Sequence, residues 1–154
     1  MAPILDVRNL QTHFFTKGGV LKAVDGVSFE IGAGEIVGLV GESGSGKSIT
    51  GFSVLGLVDA PGRIVGGEIL FKGTDLKTLP AAEMQKMRGS SIAMIFQDPM
   101  MTLNPVLRIE TQMIEAIQTH DSSVSKDEAR QRSRDALGLV GISSPEERMR
   151  AYPH

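Results

Sequence analysis

The 154-residue sequence has no cysteine and no tryptophan, and only one tyrosine and six phenylalanines. Without cysteine, disulfides, thiolate metal sites and thiol nucleophiles are excluded. With aromatics at 5%, a core has to be built on Val, Ile, Leu, Met and Ala. No run approaches the ~18 consecutive apolar residues of a membrane-spanning helix. The first fifteen residues lack the basic start and apolar stretch of a secretory leader, so a soluble chain is expected. Sixteen Lys and Arg stand against 18 Asp and Glu, for a net charge of -2. No global basic field therefore recruits nucleic acid. Internal repeats and low-complexity tracts are also missing.

What is plentiful is glycine, with 18 residues, many of them at turn signals. Hydrophobic residues make up 41%, enough for the packed core of one domain or part of one. Residues 4–15 alternate loosely and read as a strand, with KGG at 17–19 as a turn and further strands at 20–24 and 27–31. Residues 35–40 (EIVGLV) and 92–96 (IAMIF) are short and apolar, as in strands buried on both faces of a parallel sheet. Residues 67–72 (GEILFK) read as an antiparallel strand. Helices are expected at 48–58, 80–88, 108–120, 125–140 and 144–150. Ser125 and Glu128 have the spacing of a capping box, and the two prolines at 97–105 mark a loop. Strands dominate the first part and helices follow one another in the second. The pattern predicts an α/β fold with an antiparallel β layer, a partial parallel core sheet and a helical insert.

Residues 41–48 read GESGSGKS and fit G-x-x-x-x-G-K-[ST], the Walker A phosphate loop. The loop falls between an expected strand and an expected helix, where the chemistry needs it. Gly41 opens the loop, and Gly44 and Gly46 allow backbone angles that let successive N–H groups converge on an anion. Glu42, Ser43 and Ser45 complete the loop, and Ile49 follows it. The helix N-terminus adds partial positive charge. Lys47 is expected to reach the β- and γ-phosphates of a nucleotide, and Ser48 to ligate Mg2+. The bland alternative, a glycine-rich turn, has to match the whole pattern by chance in a strand–loop–helix setting.

Beyond the loop, four stretches stand out: LKAVDGVSFEIGAGEIVGLVGESGSGKS, GGEILFKGTDL, IAMIFQDPMMTLNPV and the closing RAYPH. With them the whole chain resembles the N-terminal part of an ABC-transporter ATP-binding subunit, in the oligopeptide/dipeptide importer branch. The resemblance implies a P-loop ATPase fold of the ABC type. Residues 1–106 would form the nucleotide-binding core with its β layer, and 107–154 the start of the α-helical subdomain. It implies that Gln97 is the Q-loop glutamine, touching Mg2+ or the attacking water, so that Ser48 and Gln97 share the metal. It also implies an aromatic ring that stacks on adenine near the end of the first strand. Phe14 and Phe15 both qualify, and alternation lets only one face the nucleotide. ATP and Mg2+ are the implied ligands. The implied partners are membrane permease subunits, met through the segment after Gln97 with Met100, Met101 and Leu103, and a second, different ATP-binding subunit. The implied location is peripheral, on the cytoplasmic face of the inner membrane.

The resemblance stops before the family's LSGGQ-like signature. Neither that string, nor a Walker B strand ending in Asp-Glu, nor the switch histidine's context occurs in these 154 residues. His13, His120 and His154 are expected at surface or turn positions. Nucleotide binding with negligible hydrolysis by these residues alone is the expectation, because phosphoryl transfer also needs a positioned water and stabilised transition-state charge. Strands 35–40 and 92–96 are expected to expose apolar faces where flanking strands are missing. A non-catalytic nucleotide-binding or interaction fragment is the main alternative. A soluble P-loop kinase or a DNA-repair ABC ATPase fits the QDP and Asn-Pro segment and the neutral charge less well.

Overall fold

The computed structural model describes residues 2–97 and 102–154. The chain forms two compact units, residues 1–93 and 94–154.

The first unit is built on a four-stranded antiparallel sheet in the order β2-β1-β3-β4. The strands are β1 (Leu5–Thr16), β2 (Gly19–Ile31), β3 (Gly62–Phe71) and the short β4 (Thr74–Asp75). β2 is one strand where the sequence suggests two. Val27 pairs with Leu10 and Asp25 with Gln11, so Gly26, at φ 81°, is an extra residue in the ladder. Such a bulge interrupts the side-chain alternation without ending the strand. Val7, Leu10 and Ile69 are fully buried, and Val24, Val54, Phe71, Leu76 and Met84 close around them. Each aliphatic side chain buried in this way contributes about 1.5–3 kcal/mol.

Two helices belong to this unit, α1 (Lys47–Val54) and α2 (Ala81–Met87). α1 has weak intrinsic propensity, with Gly51 inside it and β-branched Ile49 and Thr50 near its start. An isolated helix of this length would not stand in water. It stands here because Thr50, Ser53 and Val54 are buried and because its end is closed by hydrogen bonds. Leu57 N–H donates to the Phe52 carbonyl at 2.8 Å and Gly56 N–H to the Ser53 carbonyl at 3.1 Å, with Gly56 at φ 61°. This is a Schellman cap, which favours glycine at the left-handed position. It also explains why the helix stops at Val54 and not at residue 58.

The parallel core sheet expected at 35–40 and 92–96 is not formed. Neither segment is a strand; among the described residues only the isolated parallel bridge Arg88–Ile92 remains of it. Ile36 is 98% exposed, Val40 91% and Ile95 98%. A strand is completed by hydrogen bonding to a neighbouring strand, and the only sheet among the described residues is the antiparallel one, which takes in neither segment.

The second unit holds α3 (Ile109–His120), α4 (Lys126–Leu139) and α5 (Pro145–Arg150). Ile114, Val124 and Ala129 form a small core with Ile117 packed against it. Ser125 caps α4 by accepting from Glu128 N–H at 3.2 Å, whereas the Glu128 carboxylate pairs with Arg132 and does not return to the cap. Arg130 links the helices, lying 2.8 Å from Glu146 of α5 and 3.5 Å from Glu110 of α3. Among the described residues, no helix is long and apolar enough to cross a membrane.

Candidate phosphate-binding site

Residues 41–46 form an exposed loop ahead of α1, turned by a hydrogen bond from Ser45 N–H to the Glu42 carbonyl at 3.1 Å. Gly44 and Gly46 adopt φ 82° and 92°. Gly46 has a second reason to be glycine: a β-carbon there would lie 2.4 Å from the Ala23 carbonyl oxygen of β2. The bulged strand thus braces the loop where it enters the helix.

Lys47 is the first residue of α1. Its ammonium donates to the carbonyls of Gly41 and Glu42, both at 2.7 Å, and lies 3.3 Å from Ser45 Oγ. The loop therefore curls around its own cation, just ahead of the positive end of a helix. Both charges point the same way, toward an anion seated in the loop. Ser43, Gly44 and Ser48 are exposed, and Ile49 anchors the first turn of α1 against the core.

The two candidate rings near the end of β1 lie in different surroundings. Thr12 faces α1, where its hydroxyl meets Ser53 Oγ at 2.8 Å. Phe14, two residues on, shares that face by alternation: its ring packs so closely on Gly62 that a β-carbon there would lie 2.6 Å from it and 2.8 Å from Val58. The Phe15 ring is covered by the Arg63 guanidinium, 4.1 Å from its centroid.

Gln97 is exposed and belongs to the second unit, whereas Lys47 and Ser48 belong to the first. Met100 and Met101 lie outside the described residues; Leu103 is half-buried. The Asn-Pro segment is held by Gln112 of α3. The Gln112 side chain accepts from Asn104 N–H at 2.8 Å and donates to the carbonyls of Asn104 and Leu107 at 3.0 and 3.1 Å.

His13 departs from the surface or turn position expected of it. It lies within β1 with its side chain 13% exposed, and Nε2 stands 3.7 Å from the Asp25 carboxylate. His120 closes α3, and His154 stacks on Tyr152.

Three polar contacts, two in the first unit and one in the second, carry no motif. Thr12–Ser53 joins β1 to α1, Gln112 holds the Asn-Pro loop, and Arg88 donates to the carbonyls of Leu55 and Gly56 at the end of α1. The basic end of the 80–88 helix was the only sequence signal for Arg88. Its partners lie more than thirty residues away.

The residues present suit Mg2+ carried on a phosphate. That ion keeps several waters and takes one or two protein oxygens together with phosphate oxygens, and Ser48 offers an exposed hydroxyl in the first turn beside the loop.

A glycine loop wrapped around a lysine at the head of a helix, braced by an antiparallel layer, defines a P-loop protein. The family model of the ABC transporter matches residues 24–153, and the chain belongs to that family. It is 44% identical over 151 residues to the dipeptide transport ATP-binding protein DppD of Haemophilus influenzae, covering 98% of this chain and 46% of that protein. It is 48% identical over 155 residues to the oligopeptide transport ATP-binding protein AppD of Bacillus subtilis, covering 100% and 47%. The chain thus spans about half the length of the curated relatives it matches. Among solved structures, the dimeric structure of MJ0796, a bacterial ABC transporter cassette, superposes with a TM-score of 0.83 at 22% identity, over 97% of this chain and 61% of that one. That likeness establishes the fold.

Proposed function

We propose that this chain is the nucleotide-binding part of an ATP-binding subunit in an importer of peptides or related solutes. The Lys47 ammonium, held on the carbonyls of the glycine loop, supports the reading. On nucleotide binding the ammonium exchanges neutral carbonyl oxygens for anionic phosphate oxygens, which adds a direct attraction between opposite charges. The N-terminus of α1 adds its partial positive charge beside the same anion. Ser48 would hold Mg2+, which offsets phosphate charge when bound.

Phe14 is the ring assigned to adenine. It lies on the α1 side of β1, whereas Phe15 is engaged with Arg63. The segment after Gln97, pinned at Asn104 by Gln112, is assigned to contact with membrane permease subunits. A second, different ATP-binding subunit would complete the pair. The assembly would sit on the cytoplasmic face of the inner membrane, and peptide import is supported by the relatives' names.

The test is titration with a fluorescent ATP analogue and Mg2+, beside Lys47→Ala, with circular dichroism on both. The parent is expected to bind, and a folded Lys47→Ala to lose at least tenfold in affinity, about 1.4 kcal/mol. Equal affinity in the two would remove the phosphate loop from the reading.

A further inference from the structure

We propose that Arg88 is a positioning residue that ties the far end of the phosphate-loop helix to the start of the segment leading to Gln97. The inference rests on the nucleotide-binding reading above.

The end of α1 has more acceptors than its cap can satisfy. The Schellman cap uses the carbonyls of Phe52 and Ser53, and Leu55 N–H takes that of Gly51 at 3.1 Å. Beyond the last helical residue, Val54, the adjacent carbonyls of Leu55 and Gly56 receive Arg88 Nε at 2.8 Å and Nη2 at 2.9 Å. One planar guanidinium thus closes two adjacent acceptors, a geometry that a point charge does not reproduce. It also places a cation at the negative end of the helix whose positive end faces the phosphate loop.

Arg88 is equally fixed on its own side. It is the C-cap of α2, with its N–H on the Met84 carbonyl at 3.2 Å. Immediately after it the chain folds back. Ser91 and Ile92 N–H donate to the Met87 carbonyl at 2.9 and 3.1 Å, and Gly89 N–H donates to Ile92 at 2.9 Å. Gln97 lies five residues beyond Ile92. α1 is eight residues long, about 12 Å, and moves as one body. Ordering its first turn around a phosphate therefore also orders its last turn, and Arg88 passes that restraint to residues 88–92.

The experiment is amide hydrogen exchange on the 154-residue chain with and without Mg2+ and a non-hydrolysable ATP analogue. Wild type, Arg88→Met and Arg88→Lys are compared, with binding measured in parallel. In wild type, nucleotide is expected to slow exchange at least about threefold at residues 88–92 as well as in the loop. Arg88→Met is expected to bind nucleotide and protect the loop while losing the protection at 88–92. Arg88→Lys, which keeps the charge without the fork, is expected to restore less than half of it. If Arg88→Met does not fold, Arg88→Lys decides alone. Wild-type protection at 88–92 in a variant that binds, or none there in a wild type that binds, overturns the tie. A wild type that does not bind nucleotide overturns the nucleotide reading, and the tie with it.

Discussion

Thr12 and Ser53 form a buried hydroxyl pair that offers an inequality to test. Thr12 is 0% exposed and Ser53 2%. Ser53 Oγ donates to the Ile49 carbonyl at 2.7 Å, which uses its only proton. The 2.8 Å contact between the hydroxyls therefore runs from Thr12 as donor to Ser53 as acceptor. Thr12→Val replaces the donor with a methyl of nearly the same shape and leaves Ser53 bonded to Ile49. The cost is the net worth of one hydrogen bond, about 1 kcal/mol. Ser53→Ala leaves the Thr12 proton buried without an acceptor, and the penalty for that is about 1–3 kcal/mol on top of a small void. In the double variant no donor is stranded, so it should be more stable than the sum of the single losses predicts, with a coupling of about 1 kcal/mol. In a unit of this size each kcal/mol moves the melting midpoint by roughly 4–8 °C. Urea titration of the four proteins, followed by circular dichroism, measures all three quantities. A Thr12→Val loss equal to or larger than that of Ser53→Ala, or additive losses, would refute the assigned donor direction.

Gly46→Ala combines a left-handed backbone with a β-carbon 2.4 Å from the Ala23 oxygen. It should cost about 2–4 kcal/mol in a urea titration; a loss under half that would mean β2 does not brace the loop. Phe14→Ala should weaken binding of the ATP analogue by about 1–3 kcal/mol, or roughly 5- to 150-fold. Phe15→Ala should stay within about twofold, and the reverse order would transfer the stacking role to Phe15. Asp121 is held below the ordinary carboxylate range by hydrogen bonds from the Ser123 hydroxyl and backbone N–H. Its depressed value means that the contribution to the α3–α4 turn is present above the unfolded pKa and fades as pH falls through the folded one. A carboxyl-carbon NMR titration should show Asp121 moving upward in Ser123→Ala, and an unchanged midpoint would refute the hydroxyl as the main cause.

By itself the sequence determined the local features whose causes are local. The GESGSGKS loop, the helix starting at Lys47, the cap at Ser125 and the alternation of β1 each depend on residues within a few positions of one another. Periodicity and backbone permissiveness are written at that range. Two things were decided only in three dimensions. The apolar segments 35–40 and 92–96 carry the composition of parallel strands, yet neither forms a strand, because a strand is completed by its neighbours and not by its own side chains. The ties that give the phosphate loop its frame were equally invisible. Thr12 meets Ser53 across 41 positions, Arg88 meets Leu55 across 33, and Gly46 is pressed on Ala23. Hydrogen-bond partners are chosen by where the folded chain brings acceptors, and no spacing along a sequence encodes that.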